Sequence, residues 1–366
     1  MRLRQARLYE QRVEKIYALM EYTMDICNEL KKYKQVFMPK DAVKENMRIE
    51  YIDFLKAIAA FLTVFYHYGY YKLDYGFDIT QGSYLPNINR IIMCFASCCV
   101  PVFFMVNGAL LLKKRRSWKS VYRKAVKIFI LTAVWSLVGF PSWFFKTLFA
   151  LYIMFPAFQY LYEKHMRLYW LIIFILLIFP FGYNAVILLM KLLSESKTIN
   201  AFGSIIEIEQ FSVTGFFTMY SIVYFLLGPI LAKTRIPTIC GVISLFVGWG
   251  MVIFECVSYT VINETVYDGV NAAFPTYGAL MLSVGIFIIA KNKVRTGNKI
   301  TGLMRDQILA IYLLHMGVIH VIGRITGVTV LNLPMAIVGT VLILLVCVGV
   351  GKIAGRIPGL CWLFRI

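Results

Sequence analysis

Tyr51-Ile52-Asp53-Phe54-Leu55-Lys56-Ala57-Ile58-Ala59-Ala60-Phe61-Leu62-Thr63-Val64-Phe65-Tyr66-His67-Tyr68-Gly69-Tyr70 is an apolar run long enough to span a bilayer, yet it carries Asp53, Lys56 and His67. Ionisable groups in a membrane span are costly, and each marks a candidate functional position. Lys56 and His67 are eleven residues apart. That is three helical turns, so the two share a face and lie about 16 Å apart along the axis. Asp53 stands one turn before Lys56, within pairing reach.

Outward from this segment, apolar runs recur along nearly all of the chain. Of the 366 residues, 60% are hydrophobic and 16% charged, with a mean hydropathy of +0.70; this is far from a soluble domain. The pattern predicts an all-α, polytopic membrane helical bundle of about ten transmembrane helices. The expected spans are 51–70, 90–112, 125–141, 143–162, 168–182, 213–232, 237–257, 273–290, 307–323 and 331–350.

A net charge of +19 would suit a nucleic-acid binder if it were clustered on a soluble domain. Instead, 31 of the 38 Lys and Arg residues fall in segments that alternate to one side of these spans, and six fall on the other. This bias predicts that both termini face the cytosol, with the charge serving topology and contact with anionic lipid heads rather than nucleic acid. The densest cluster is Lys113, Lys114, Arg115, Arg116, Lys119, Arg123, Lys124 and Lys127. It reads either as a topogenic stop or, at Arg123, Lys124 and Lys127, as a contact for the phosphates of an incoming polyanion.

Residues 1–47 are expected to form a separate cytoplasmic leader, and 48–366 the transmembrane domain. In the leader, Val13, Ile16, Met20, Met24, Cys27 and Leu30 recur three or four residues apart, which predicts an amphipathic helix. It reads as lying on the inner leaflet, with a short coiled-coil homodimer contact as the alternative. The eight Cys residues lie mostly in spans, where they act as small hydrophobes, and their spacing predicts neither a metal site nor a disulfide framework. The longest outer loops are expected at 71–89 and 183–212. Glu255 is an isolated acid within the seventh span.

Several motifs follow in order. They are Arg48-x4-Asp53-x2-Lys56-x10-His67, then Val100-Pro101-Val102-Phe103-Phe104-Met105-Val106-Asn107-Gly108, then Arg123-Lys124-x2-Lys127. Trp143-Phe144-Phe145 with Leu151-Tyr152-x3-Pro156, Phe225-Leu226-Leu227-Gly228, Ile311-Tyr312-Leu313-Leu314-His315 and Arg356-Ile357-Pro358 come after. In order and spacing these resemble the acyltransferase-3 family, bacterial integral-membrane acyltransferases of cell-surface carbohydrates. The resemblance covers about 48–360. Two positions depart from the family pattern: Lys56 stands where Arg is usual, keeping charge but losing bidentate geometry, and Asn107 stands where Ser is commoner.

The resemblance implies a bacterial cytoplasmic-membrane O-acyltransferase. Acyl-CoA, most often acetyl-CoA, would be the donor substrate from the cytosol, with no permanently bound cofactor. The acceptor would be a hydroxyl of an extracytoplasmic or lipid-linked glycan. In that picture His67 is the general base, since neutral imidazole is available near pH 7. Lys56, Arg48, Arg123, Lys124 and Lys127 would hold the CoA head, and Asp53 would hold Lys56. Asn107 and Tyr152 are candidate donors to the thioester oxyanion or the acceptor, and Glu255, Tyr312 and His315 are candidate acceptor contacts. Other readings of these residues stay open: His67 as a bundle-facing histidine bonded to a carbonyl, and Lys56 as a purely structural partner of Asp53. A transporter or flippase of a small polar or sugar-lipid solute is the competing function, and a sensing module a third.

Overall fold

A computed structural model describes residues 49–69, 73, 87–112, 117–137, 143–193, 212–213, 217–263, 267–327, 331–357 and 364. The leader helix expected within 1–47, and Arg48, lie outside the described residues.

Among these residues the architecture is helical: α1 Glu50–Gly69, α2 Ile88–Leu112, α3 Trp118–Leu137, α4 Trp143–Lys164, α5 Met166–Leu193, α6 Met219–Lys233, α7 Thr238–Asn263, α8 Tyr277–Lys293, α9 Lys299–Arg305, α10 Ile308–Thr326 and α11 Leu333–Ala354. A two-residue antiparallel pair, β1 Ser212–Val213 with β2 Phe217–Thr218, precedes α6. Six helices (α2, α4, α5, α7, α10 and α11) are long and apolar enough to cross a membrane. The chain is a polytopic membrane protein.

The outer helices carry large apolar side chains on their surfaces, among them Phe174, Ile178 and Phe179 on α5, Phe246 and Phe254 on α7, and Val338, Leu342 and Leu345 on α11. Such surface would aggregate in water and is solvated by lipid instead. By contrast α1 is central. It packs against α2, α8, α9, α10 and α11, and Leu55 and Ala59 on it are fully buried. The polar residues of α1 are therefore enclosed by protein rather than facing lipid, the arrangement in which intramembrane charge is tolerated.

Capping fixes the ends of several helices. Asn298 and Thr301 form a capping box on α9, Thr276 caps α8, Asn332 caps α11 ahead of Pro334, and Gly327 closes α10 at φ 62°.

Two boundaries differ most from the sequence expectation. The fifth span does not end at Gly182. A π-helical stretch, Leu177–Gly182, absorbs Pro180 and the helix runs on to Leu193, so part of the expected outer loop is helix. The third span begins at Trp118, which places Lys119, Arg123, Lys124 and Lys127 on a helix surface.

Candidate active site

At one end of the bundle α1, α2, α3, α4 and α10 enclose a cleft holding about 610 Å³ of atom-free space, open to solvent. The turn that precedes α8 completes its wall. His67, Tyr312 and His315 line it, with Tyr66, Trp143 and Asn271.

The two imidazoles are positioned in the same way. His67 Nδ1 lies 2.8 Å from the Thr63 carbonyl, and His315 Nδ1 lies 3.0 Å from the Ile311 carbonyl, each four residues earlier on its own helix. A carbonyl only accepts, so each Nδ1 carries the proton and each neutral ring keeps the lone pair on Nε2. The ring centroids are 5.0 Å apart. His315 is 3% exposed, and its Nε2 is buried with no hydrogen-bond partner. Two tethered bases thus share one cleft.

Tyr66 packs edge-on against His67, centroids 4.9 Å apart. Its hydroxyl donates to Asp268 Oδ2 at 2.7 Å and accepts from Asn271 Nδ2 at 2.7 Å. Asp268 Oδ1 accepts the backbone N–H groups of Val270 and Asn271, an Asx turn that fixes the carboxylate. Replacing Asp268 with alanine is expected to cost about 1–3 kcal/mol, since it removes one partner from a half-buried hydrogen-bonded set. The check is the thermal unfolding midpoint in detergent; an unchanged midpoint would mean that this bridge carries no stability.

Behind this turn Arg90 is 1% exposed, and its Nε donates to Cys256 Sγ at 3.0 Å. It belongs to the first turn of α2, at the start of the second expected span.

The other sequence-selected residues fall at three further places. Asn107 and Tyr152 meet each other, the tyrosine hydroxyl 3.4 Å from Asn107 Oδ1, while the asparagine amide donates to the Phe103 carbonyl at 2.8 Å. Each stands seven residues beyond a cleft-lining position, Val100 on α2 and Phe145 on α4. That is about 10 Å along the helix axes, away from the cleft.

At the far end of α1, Lys56 shares its electrostatic neighbourhood with Asp53, Lys124, Arg305 and Asp306. Beside them Arg305 forms a contact ion pair with Asp306, at 2.8 Å. Arg123 is exposed and Lys127 half-buried on the same helix as Lys124. The sequence picked Lys56 and Lys124 but not Arg305, whose place beside them depends on how α9 folds back under α1. Glu255 lies apart from the cleft, in a second pocket against α5 and α8.

The chain therefore has a tethered histidine pair at one end of a central polar helix, and a group of cations at the other end. An acyltransferase domain of the acyltransferase-3 type is matched over residues 49–142 and 139–352, nearly the whole described bundle. The chain belongs to the acyltransferase-3 family. No curated protein and no solved structure matches it. Membership makes the chain a membrane acyltransferase, with an acyl donor and an acceptor. The family match begins at Ile49 and so takes in all of α1, including Lys56 and His67.

Proposed function

We propose that this protein moves an acetyl group from cytosolic acetyl-CoA to a hydroxyl of an extracytoplasmic or lipid-linked carbohydrate, with His67 as general base. The observation that carries this reading is the cleft imidazole of His67, whose Nδ1 is committed to Thr63, set three turns along α1 from Lys56, Lys124 and Arg305. The charge bias puts that cationic end in the cytosol, where a nucleotide-bearing donor arrives. The cleft end then faces the acceptor.

His67 Nε2 takes the proton of the acceptor hydroxyl as its oxygen attacks the thioester carbonyl. The tetrahedral intermediate collapses with cleavage of the C–S bond, and the departing CoA sulfur recovers the proton from the imidazolium. His315 Nε2 accepts a hydrogen bond from a neighbouring acceptor hydroxyl, which satisfies a buried group that otherwise has no partner. Tyr312 is clamped between Phe144 and Phe145, centroids 4.6 and 5.1 Å away, and gives the cleft a rigid wall. The Asn107–Tyr152 pair, midway along the bundle, suits the amides of the pantetheine arm better than the reacting carbonyl.

The test supplies membranes bearing the protein with labelled acetyl-CoA and extracted glycan acceptor. Acceptor-dependent ester formation is expected. The double variant Lys56→Gln, Lys124→Gln should raise KM for acetyl-CoA tenfold or more, since a hydrogen bond to a charged group contributes roughly 1.5–3 kcal/mol. Solute uptake into vesicles without acetyl-CoA consumption would favour the transporter instead.

A further inference from the structure

The pocket around Glu255 lies beside the cleft rather than in it. It lies between α5, α7 and α8 and, counting the solvent-open space at its mouth, measures about 310 Å³. The turn before α8 is its shared wall: Asn271 and Phe274 face the cleft, while Tyr267, Ala272 and Thr276 face the pocket.

Its polar groups include one carboxylate among tyrosine, threonine and asparagine side chains. Glu255 Oε2 is buried without a hydrogen-bond partner. The Asn184 amide nitrogen is already committed to the Pro275 carbonyl at 3.0 Å, and the Tyr277 hydroxyl to the Leu177 carbonyl at 2.9 Å. Leu177 opens the π-helical stretch of α5, a distortion that is frequent at functional sites. Tyr259 and Tyr267 stack, centroids 4.6 Å apart, and burial pushes the Tyr267 phenol above its usual range, so that wall stays neutral. An aromatic wall facing an unsatisfied carboxylate oxygen calls for a ligand with a hydroxyl donor and apolar C–H faces. A cationic ligand would satisfy the carboxylate too, but Lys191 Nζ already stands 5.5 Å from the Tyr259 ring centroid, and a second cation there would be repelled.

We propose that the Glu255 pocket is a second acceptor subsite, which holds a neutral sugar unit of the glycan adjacent to the unit being acylated in the His67 cleft. This rests on the glycan reading of the acceptor given above. A polymer draped over the turn at 267–277 would reach both hollows, so the enzyme would distinguish a chain from a free monosaccharide.

The test is isothermal titration of the purified protein in nanodiscs with a panel of neutral disaccharides, and separately with tetramethylammonium chloride as the cationic probe. At least one disaccharide is expected to bind saturably, and His320→Ala, an exposed position on α10 outside both hollows, should bind it equally well. Glu255→Leu and Tyr259→Ala should each weaken it tenfold or more. Tyr259→Phe, which keeps the ring, should retain the affinity, separating a lost contact from a lost fold. No saturable binding, affinity indifferent to Glu255, or Glu255-dependent binding of tetramethylammonium in place of sugar would each overturn the proposal. Glu255-dependent sugar binding by a protein that consumes no acetyl-CoA would sink the enzymatic reading and leave the pocket standing. Ester formation with sugar binding indifferent to Glu255 would do the reverse.

Discussion

His67→Ala is expected to lower acyl transfer by about 10²- to 10⁴-fold, the range for removal of a positioned general base, while leaving the protein folded. The second half of that expectation follows from how the side chain is held. Its hydrogen bond runs to the Thr63 carbonyl of its own helix, and the ring is half-buried at the rim of an open cleft. Losing it breaks no hydrogen bond between helices, and the thermal midpoint should move little. KM for the donor should also hold, since the cationic end of α1 is about 16 Å away. The control is His320→Ala, an exposed position on α10, which should transfer at the wild-type rate. Full activity in His67→Ala would end the proposed mechanism, whatever the family.

The same residues show how much of this was legible in the chain and why the rest was not. Lys56 and His67 announce themselves because an apolar segment tolerates polar groups only where protein encloses them, and their separation fixes a shared face through helix geometry alone. His315 and Tyr312 are legible only through a motif, since nothing in the sequence says that α10 lies against α1. Asp268 was missed altogether. It sits in a stretch, Tyr267-Asp268-Gly269-Val270-Asn271, that reads as an ordinary polar turn, and its bond to Tyr66 spans 202 residues. Hydropathy put Arg90 at the mouth of the second span but could not foresee its enclosure, which depends on α7 lying against α2. Pro180 and Gly182 look like a helix end because local propensity does not foresee a π-helical stretch held by the Tyr277 hydroxyl on the Leu177 carbonyl.

Gly228→Ala is expected to destabilise the bundle by about 3 kcal/mol or more, at the upper end for overpacking. The cause is the crossing of α2 and α6. A β-carbon on Gly228 would run into the Met105 carbonyl, and one on Gly108 into the Phe225 carbonyl; each glycine lies against the backbone of the other helix. Backbone atoms cannot rotate aside as a side chain can, so the helices must part. The contacts that would open include Phe104, Met105, Tyr224 and Phe225, all fully buried, and the bond from the Tyr169 hydroxyl to the Leu226 carbonyl at 2.6 Å. Intrinsic propensity works in the opposite direction, since alanine is favoured over glycine in a helix interior by about 1 kcal/mol. The clash with backbone atoms outweighs that gain and sets the sign. Gly250→Ala supplies the comparison, because a β-carbon there meets nothing within 4 Å. That variant should be neutral or gain up to about 1 kcal/mol. The same chemical change at two helical glycines should thus move the thermal midpoint in opposite directions, and equal midpoints for Gly228→Ala and Gly250→Ala would show that α2 and α6 do not meet backbone to backbone.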